Sequence, residues 1–313
     1  MTKKIEISAI VPVGERLEKT DALAKEYLET LKETGKKFEL VYVLDDRHAQ
    51  LFEQLISLAK SEKQLKIIQL ARSFGESAAL TAGIEKTTGE VVMTLPAYYQ
   101  IKAVEIQKLI SGLDSCDMTI GVRWPRASAS SFELLRRNLF HWLVGSMIGN
   151  KFNDLGCGAR ALKRIVVDEV PIYGDQHRFL PLLAIRRGFR VHEQKVAQSE
   201  KDRYEGGYGP REYVRRLLDI LTVFFLVRFT KKPLRFFGMI GSVTFALGTI
   251  FLAYVVVERL FFDVSLADRP ALLLSSLLVV LGLQIFALGL LGELIIFTHA
   301  QEIKEYTIEK IIN

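Results

Sequence analysis

Cysteine is scarce in this chain of 313 residues, and its scarcity excludes two classes of small stabilised domain. Only Cys116 and Cys157 are present, too few and too far apart for a disulfide scaffold or a structural zinc site. We expect both thiols to be buried as small apolar side chains. The N-terminal residues lack the long apolar core of a signal peptide, so we expect no such peptide at this end.

Charged side chains are almost absent from two long segments near the C-terminal end, although they make up 25% of the whole chain. The segments cover residues 234–257 and 271–298. Each exceeds the ~20 apolar residues that a helix needs to cross the hydrocarbon core of a bilayer. The pattern predicts two transmembrane helices, a linker over residues 258–270 and a tail over residues 299–313. A buried hairpin in a soluble protein is the alternative interpretation.

The distribution of basic residues predicts the orientation of this hairpin. The linker is nearly neutral, whereas the opposite ends of the two segments are basic. By the positive-inside rule, the linker lies outside and both termini lie in the cytoplasm. We therefore predict a multi-pass protein of the inner membrane with a cytoplasmic N-terminal domain. The basic residues at the cytoplasmic ends are Lys231, Lys232, Arg235, Lys304 and Lys310.

One carboxylate, Glu293, lies inside the second apolar segment. A carboxylate at that depth is unfavourable unless it is paired, solvated or protonated. We expect Glu293 to bond to Arg235, to a backbone group or across an oligomer interface. A wet interfacial glutamate without a partner is the alternative.

The chain is basic, with 42 Lys and Arg against 36 Asp and Glu and a formal net charge of +6. Much of the excess lies in residues 211–235, next to the first apolar segment, which favours lipid headgroups over nucleic acid as the partner. Residues 211–233 mix arginines with leucines and phenylalanines, which predicts an interfacial amphipathic helix. We expect a membrane or anionic lipid as partner, and no nucleic acid.

Residues 1–210 alternate strand-like and helix-like segments. Such alternation predicts an α/β domain with a mostly parallel sheet covered by helices on both faces. Ligands bind such sheets at the carboxyl ends of the strands. The strand-like segments are residues 5–13, 38–44, 65–70, 91–95 and 118–122, and the helix-like ones are 21–34, 51–61, 75–87 and 104–113. Five residues follow strand ends: Asp45, Asp46, Pro96, Tyr98 and Arg123.

Short motifs in a fixed order give the chain a resemblance to a known family along nearly its whole length. They are Val-Pro-Val at 11–13, Asp-Asp at 45–46, Arg-Ser-Phe-Gly at 72–75, Gly-Val-Arg at 121–123, Asn-Asp-Leu-Gly-Cys at 153–157 with Arg160, His-Arg-Phe-Leu-Pro at 177–181, Gly-Phe-Arg-Val at 188–191, and residues 233–238 and 289–293. Together they resemble the family-2 glycosyltransferases that charge polyprenyl phosphates, the dolichol-phosphate-mannose-synthase-like group.

The resemblance implies a GT-A fold, a nucleotide-sugar donor and a polyprenyl phosphate acceptor. It implies that Asp45 and Asp46 hold the nucleoside and that Asp154 is the catalytic residue on the acceptor side. A lipid phosphate is already anionic, so a second interpretation is that Asp154 orients the acceptor or an arginine. A structural loop carboxylate is the third interpretation. Arg136 and Arg137 are candidates for binding the acceptor phosphate, with a solvated helix face as the alternative.

The departures from the family concentrate on the donor side. Where the family carries Asp-Ala-Asp-Leu-Gln, this chain reads Pro-Ala-Tyr-Tyr-Gln at 96–100. The family's Mg²⁺ or Mn²⁺ neutralises the diphosphate leaving group and needs those carboxylates. We therefore predict no cofactor and no metal site. Arg123, Arg126 and Arg203 are the candidates for binding the donor phosphates instead, because guanidinium binds phosphate in a bidentate fork.

Two function hypotheses follow from this combination. The first is an enzyme that transfers a sugar from a nucleotide sugar to a polyprenyl phosphate on the cytoplasmic face. The second is an inactive pseudo-glycosyltransferase that acts as a scaffold, regulatory or partner subunit, in a homo-oligomer or with a different partner protein. A channel or transporter is disfavoured, because two helices rarely enclose a path without oligomerisation.

Overall fold

The computed structural model describes residues 5–14, 16–18, 20–125, 152–170, 176–202, 233–262 and 270–299. They fall into two compact units, one up to residue 202 and one from residue 233, which are considered separately. Several predictions lie outside the described residues. These are the interfacial helix except Pro233, most of the linker, the tail beyond His299, and Arg126, Arg136, Arg137 and Arg203.

The first unit alternates strands and helices, as the sequence pattern predicts. The strands are β1 (Ile7–Pro12), β2 (Phe38–Leu44), β3 (Leu65–Gln69), β4 (Val91–Thr94), β5 (Met118–Arg123), β6 (Arg160–Lys163) and β7 (Val191–Val196). The helices are α1 (Ala22–Glu33), α2 (Ala49–Ser61), α3 (Glu76–Glu85), α4 (Ile106–Ser111), α5 (Arg164–Glu169) and α6 (Leu180–Arg186). In the described part of this unit, four short 3-10 helices accompany them: Asp46–His48, Ala103–Glu105, Gly112–Asp114 and Gln176–Phe179.

The seven strands form one sheet in the order β3-β2-β1-β4-β6-β5-β7. Only β6 runs antiparallel to its neighbours β4 and β5, so the other strands share one direction. The predicted mostly parallel α/β sheet is confirmed. The carboxyl ends of β1, β2, β4 and β5 consequently meet at one edge of the sheet, hereafter the carboxyl edge.

The central strands are apolar because both of their faces are covered. Every residue of β1 and β2 is buried, in keeping with a sheet packed on both sides. The helix α1 contributes Leu23, Tyr27 and Leu31 to this core. The helix α3 approaches closely at Gly83, where a Cβ would lie 2.5 Å from Cγ2 of Ile10. Both cysteines are buried, which confirms the expectation for them.

One charged residue, Glu39, lies inside the β1–β2 region and is 2% exposed. Its carboxylate accepts hydrogen bonds from Ser8 Oγ at 2.7 Å, Lys66 Nζ at 2.7 Å and the Thr88 N–H at 3.3 Å. Burial alone would raise the pKa of Glu39, but these donors outweigh it and lower that pKa. Glu39 is therefore a folded-state carboxylate that stabilises the domain in its charged form.

The second unit consists of two long helices, α7 (Pro233–Phe262) and α8 (Pro270–His299). Both are long and apolar enough to cross a membrane, and few of their residues are buried. They pack together through glycines: a Cβ on Gly282 would lie 2.4 Å from Phe245 N, and one on Gly248 2.7 Å from Val279 N. Small residues that allow close backbone approach are typical of helix pairs in membranes.

Glu293 of α8 lies beside the first turn of α7. Its Oε2 accepts a hydrogen bond from the Leu234 N–H at 3.4 Å. The carboxylate thus has a backbone partner at a helix N-terminus, where the helix dipole favours negative charge. This is the second of the three partners expected for Glu293.

Candidate functional site

The candidate site lies at the carboxyl edge, where four segments bring charged and aromatic side chains together. The strand β1 leads to Arg16, β4 leads to Tyr98, and β5 ends at Arg123. Because β6 is antiparallel, the residues before it, including Asp154, reach the same edge. Polar backbone and side-chain groups therefore converge where ligands bind in this class of sheet.

Arg123 and Asp154 form a buried bidentate ion pair. Nε of Arg123 donates to Asp154 Oδ2 at 2.7 Å and Nη2 donates to Oδ1 at 2.8 Å, and the two side chains are 8% and 5% exposed. Burial alone would lower the pKa of Arg123, but the carboxylate of Asp154 outweighs it and raises that pKa. Two residues that the sequence assigns to donor and acceptor sides are thus each other's partners.

A second acidic residue, Asp202, links this pair to Arg16. Arg16 Nη2 donates to Asp202 Oδ1 at 2.7 Å, and Gln198 Nε2 donates to Oδ2 at 2.7 Å. Arg123 Nη1 lies 3.6 Å from Asp202 Oδ2. The Asp202 side chain, 3% exposed, therefore accepts a hydrogen bond from Arg16 and forms a longer ion pair with Arg123.

The guanidinium of Arg16 also lies over the ring of Tyr98, with Cζ 3.9 Å from the ring centroid. A cation over an aromatic face is stabilised by the quadrupole of the ring. Burial raises the pKa of Tyr98 to about 12, although the nearby Arg16 and Arg123 oppose that shift. The phenol is therefore neutral at physiological pH, and its ring serves as an uncharged platform.

The segment that replaces the family's metal-binding carboxylates does not fit a divalent ion. Ala97 is buried, and its carbonyl accepts the Glu18 N–H at 2.6 Å. Gln100 Oε1 accepts the Gly158 N–H at 2.7 Å, and its Nε2 donates to the Tyr98 hydroxyl at 2.8 Å. The one amide oxygen that could serve as a ligand is thus in use. Within the described ranges, no group of three or more His, Cys, Asp or Glu side chains is arranged to hold a metal.

A second cluster at this edge contains a carboxylate that the sequence motifs did not mark. Glu76, at the start of α3, lies 3.4 Å from His177 Nε2, and His177 Nδ1 lies 2.6 Å from Ser77 Oγ. Burial alone would raise the pKa of Glu76, but His177 outweighs it and lowers that pKa. A Cβ on Gly14 would lie 3.2 Å from Glu76 Oε2, so Glu76 faces the end of β1.

Arg160 is buried next to this cluster, and its guanidinium forms hydrogen bonds with backbone carbonyls. Its guanidinium donates to the carbonyls of Cys157, Leu155, His177 and Arg178. Burial lowers the pKa of Arg160 to about 10, which still leaves it charged at neutral pH. Its role is to join the segment before β6 to the start of α6.

The acidic pair after β2 is divided between two environments. Asp45 is 5% exposed; it receives the Arg47 N–H at 3.1 Å and the Arg47 guanidinium at 2.7 Å, which lowers the pKa of Asp45. Asp46 is exposed. Asp46 is therefore open to solvent, whereas the carboxylate of Asp45 is held by Arg47.

Sequence reasoning marked Arg123, Asp154 and Asp45 but missed Arg16, Asp202 and Glu76. Arg16 lies three residues beyond the Val-Pro-Val motif at 11–13, and that position was the available signal. Asp202 carried no motif, and Glu76 carried only its position after the Arg-Ser-Phe-Gly motif. The arrangement as a whole is an ion-pair network of two arginines and two aspartates, in which the side chain of Arg16 is 39% exposed.

Comparisons with known proteins agree with this architecture. The sequence profile described as "Glycosyl transferase family 2" matches residues 8–169. The chain is 30% identical to undecaprenyl-phosphate 4-deoxy-4-formamido-L-arabinose transferase of Pseudomonas fluorescens (strain SBW25), covering 98% of this chain and 89% of that protein. It is 25% identical to dodecaprenyl-phosphate galacturonate synthase of Rhizobium johnstonii, covering 96% of this chain and 90% of that protein.

Solved structures support the fold alone. Mannosyl-3-phosphoglycerate synthase from Rubrobacter xylanophilus matches with a TM-score of 0.51 and 12% identity, over 70% of this chain and 73% of that one. Glucosyl-3-phosphoglycerate synthase from Mycobacterium tuberculosis matches with a TM-score of 0.50 and 14% identity, over 71% of this chain and 79% of that one. The predicted GT-A-like fold is confirmed.

Proposed function

The chain belongs to glycosyl transferase family 2, and we propose that it transfers a sugar from a nucleotide sugar to a polyprenyl phosphate at the cytoplasmic face of the inner membrane. One observation carries this proposal. The similarity to relatives named for undecaprenyl phosphate covers 98% of this chain, so it includes the two apolar helices as well as the sheet domain. A lipid-linked acceptor explains why a soluble-type fold is followed by a membrane hairpin.

The proposed reaction needs more charge stabilisation at the donor diphosphate than at the acceptor phosphate. A lipid phosphate is already anionic and needs little deprotonation, whereas the nucleoside diphosphate leaving group gains charge as it departs. Since both oxygens of Asp154 accept from Arg123, we assign Asp154 the role of orienting that arginine rather than of removing a proton. Because the residues at 96–100 do not fit a metal, no step of the proposed reaction passes through one.

The remaining site assignments are those made from the sequence. Asp46, with Asp45 behind it, accepts hydrogen bonds from the nucleoside. Arg126 and Arg203 bind donor phosphates, and Arg136 and Arg137 bind the acceptor phosphate at the membrane surface. We also propose that residues 1–210 form the cytoplasmic domain and residues 211–233 an interfacial helix. The basic flanks of the hairpin support an orientation with both termini in the cytoplasm.

The direct test is product formation by the full-length protein in vesicles that contain undecaprenyl phosphate. A panel of nucleotide sugars is supplied with Mg²⁺ or with EDTA, and lipid-linked sugar and released nucleotide are measured. We expect lipid-linked sugar from one donor, at a similar rate in EDTA. The control variant is Lys25→Met, which should form product as the wild type does, because Lys25 pairs with Asp21 on the outer side of α1. Absence of product from every donor contradicts the proposed activity.

A pseudo-glycosyltransferase is the second candidate, and two observations favour it. The metal-binding carboxylates are absent, and Asp154 is engaged by Arg123 instead of facing a substrate alone. In this case the chain serves as a scaffold or regulatory subunit, in a homo-oligomer or with a different partner. Nucleotide-sugar binding without any turnover, together with altered activity of a co-purified partner, would support this candidate over the enzyme.

A further inference from the structure

Among the described residues at the carboxyl edge, Arg16 is a more exposed cation than Arg123. Its side chain is 39% exposed, whereas that of Arg123 is 8% exposed and doubly bonded to Asp154. Arg16 follows β1, the strand next to β4, so it reaches the place where the family's metal-binding carboxylates would follow β4. A partly exposed guanidinium therefore stacks on Tyr98, the side chain that replaces one of those carboxylates.

We propose that Arg16 binds the diphosphate of the nucleotide donor in place of a divalent metal, with Tyr98 and Asp202 as positioning residues. The inference rests on the proposed function for the identity of the donor. It differs from the sequence-based candidates, because Arg16 was not among them. Guanidinium suits this task, since its planar fork matches two phosphate oxygens and stays charged at all physiological pH values.

Tyr98 stands where the family carries an aspartate, and its aromatic ring suits a guanidinium as a neighbour. A family carboxylate at that position attracts a metal ion, whereas an aromatic face attracts an organic cation such as guanidinium. The 3.9 Å approach of Arg16 Cζ to the Tyr98 centroid and the 2.7 Å bond to Asp202 restrict the orientation of the side chain. Pre-orientation reduces the entropy that must be lost when a diphosphate binds.

Asp202 has partners other than Arg16. It also accepts from Gln198 at 2.7 Å and lies 3.6 Å from Arg123 Nη1. The nearby carboxylate of Glu76 is directed to His177, at 3.4 Å from Nε2. Arg16 thus belongs to an ion-pair network with Asp202 and Arg123, and the exposed part of its guanidinium is the part that the proposal assigns to the ligand.

The experiment measures binding of inorganic pyrophosphate to the full-length protein in EDTA, by isothermal titration. Pyrophosphate is used because it carries the diphosphate without committing to a base or a sugar. We expect binding by the wild type and a loss of about ten-fold or more in Arg16→Met. Arg16→Lys, which keeps the charge but not the fork, should fall between them. Lys25→Met, a partly exposed cation of an i,i+4 pair, should bind as the wild type does.

Two further variants separate positioning from a structural role. Tyr98→Phe keeps the aromatic face and should bind pyrophosphate more tightly than Tyr98→Leu. Melting temperatures of all variants are measured in the same detergent. If Arg16→Met does not fold, the comparison of Arg16→Lys with the wild type and of the two Tyr98 variants decides the question. Equal pyrophosphate affinity within these pairs overturns the proposal.

The outcomes also separate this inference from the proposed function. Wild-type protein that binds pyrophosphate only with Mg²⁺, or not at all, overturns the role of Arg16. Lipid-linked sugar formation that is unaffected by Arg16→Met does the same while leaving the proposed function standing. Pyrophosphate binding that depends on Arg16, without turnover of any nucleotide sugar, supports the anion site and contradicts the proposed activity.

Discussion

Removing Asp154 should destabilise the sheet domain strongly, because it leaves a buried arginine without its main partner. Arg123 and Asp154 share two hydrogen bonds of 2.7 and 2.8 Å and are 8% and 5% exposed. Breaking a buried ion pair by deleting one member costs about 3–5 kcal/mol. Arg123 retains Asp202 at 3.6 Å, so we expect the lower end, about 3 kcal/mol, for Asp154→Ala.

The assay is the apparent melting temperature of full-length protein in detergent at one scan rate, since unfolding of a membrane protein is often irreversible. For a domain of this size, each kcal/mol shifts the midpoint by about 2–4 °C, so Asp154→Ala should melt about 6–12 °C below the wild type. The matched control is Asp21→Ala, which breaks the partly exposed pair with Lys25 and should cost about 0.5 kcal/mol or less.

A double variant tests whether the loss comes from the unpaired charge. Arg123→Met with Asp154→Leu replaces both charges by apolar groups, and we expect it to recover much of the melting temperature. A melting temperature of Asp154→Ala within about 1 °C of the wild type, which corresponds to well under 1 kcal/mol, would refute the reasoning. If such a variant also forms no lipid-linked sugar, Asp154 acts on the substrate rather than on Arg123.

Three further predictions concern other parts of the chain. The folded-state pKa of Glu39 is lowered, so the stability that Glu39 contributes is present above its unfolded pKa and is lost as pH falls through the folded pKa. Glu39→Gln should therefore reduce the loss of stability below about pH 5, measured as melting temperature against pH. The same dependence of melting temperature on acid pH in Glu39→Gln and the wild type would contradict this. Gly282→Ala should lower the melting temperature of the helix pair more than Gly238→Ala, because the new Cβ meets backbone at 2.4 Å rather than a side chain at 3.2 Å, and equal losses would argue against the close packing. A cysteine at Ser265 should react with an impermeant thiol reagent in intact cells and one at Ser61 only after permeabilisation; the reverse pattern would invert the proposed topology.

The sequence alone determined the class of fold and the presence of two long apolar C-terminal helices. Alternating apolar strands and amphipathic helices repeat over short distances, and their periodicity is a local property that composition and spacing express directly. The same holds for the apolar segments that become α7 and α8, which hardly depend on tertiary contacts for their helical character. The loss of carboxylates at 96–100 was likewise visible, because it is a change of residue type within an ordered motif.

Only the tertiary structure decided how the charged residues pair. Arg123 and Asp154 are 31 residues apart, and Arg16 and Asp202 are 186 residues apart, so no periodicity links them. Their pairing depends on the antiparallel insertion of β6 and on the convergence of strand ends, which a linear pattern does not encode. Burial then fixes the outcome, since a charge at low exposure must find a partner within hydrogen-bond distance, and the fold alone determines which partner is near.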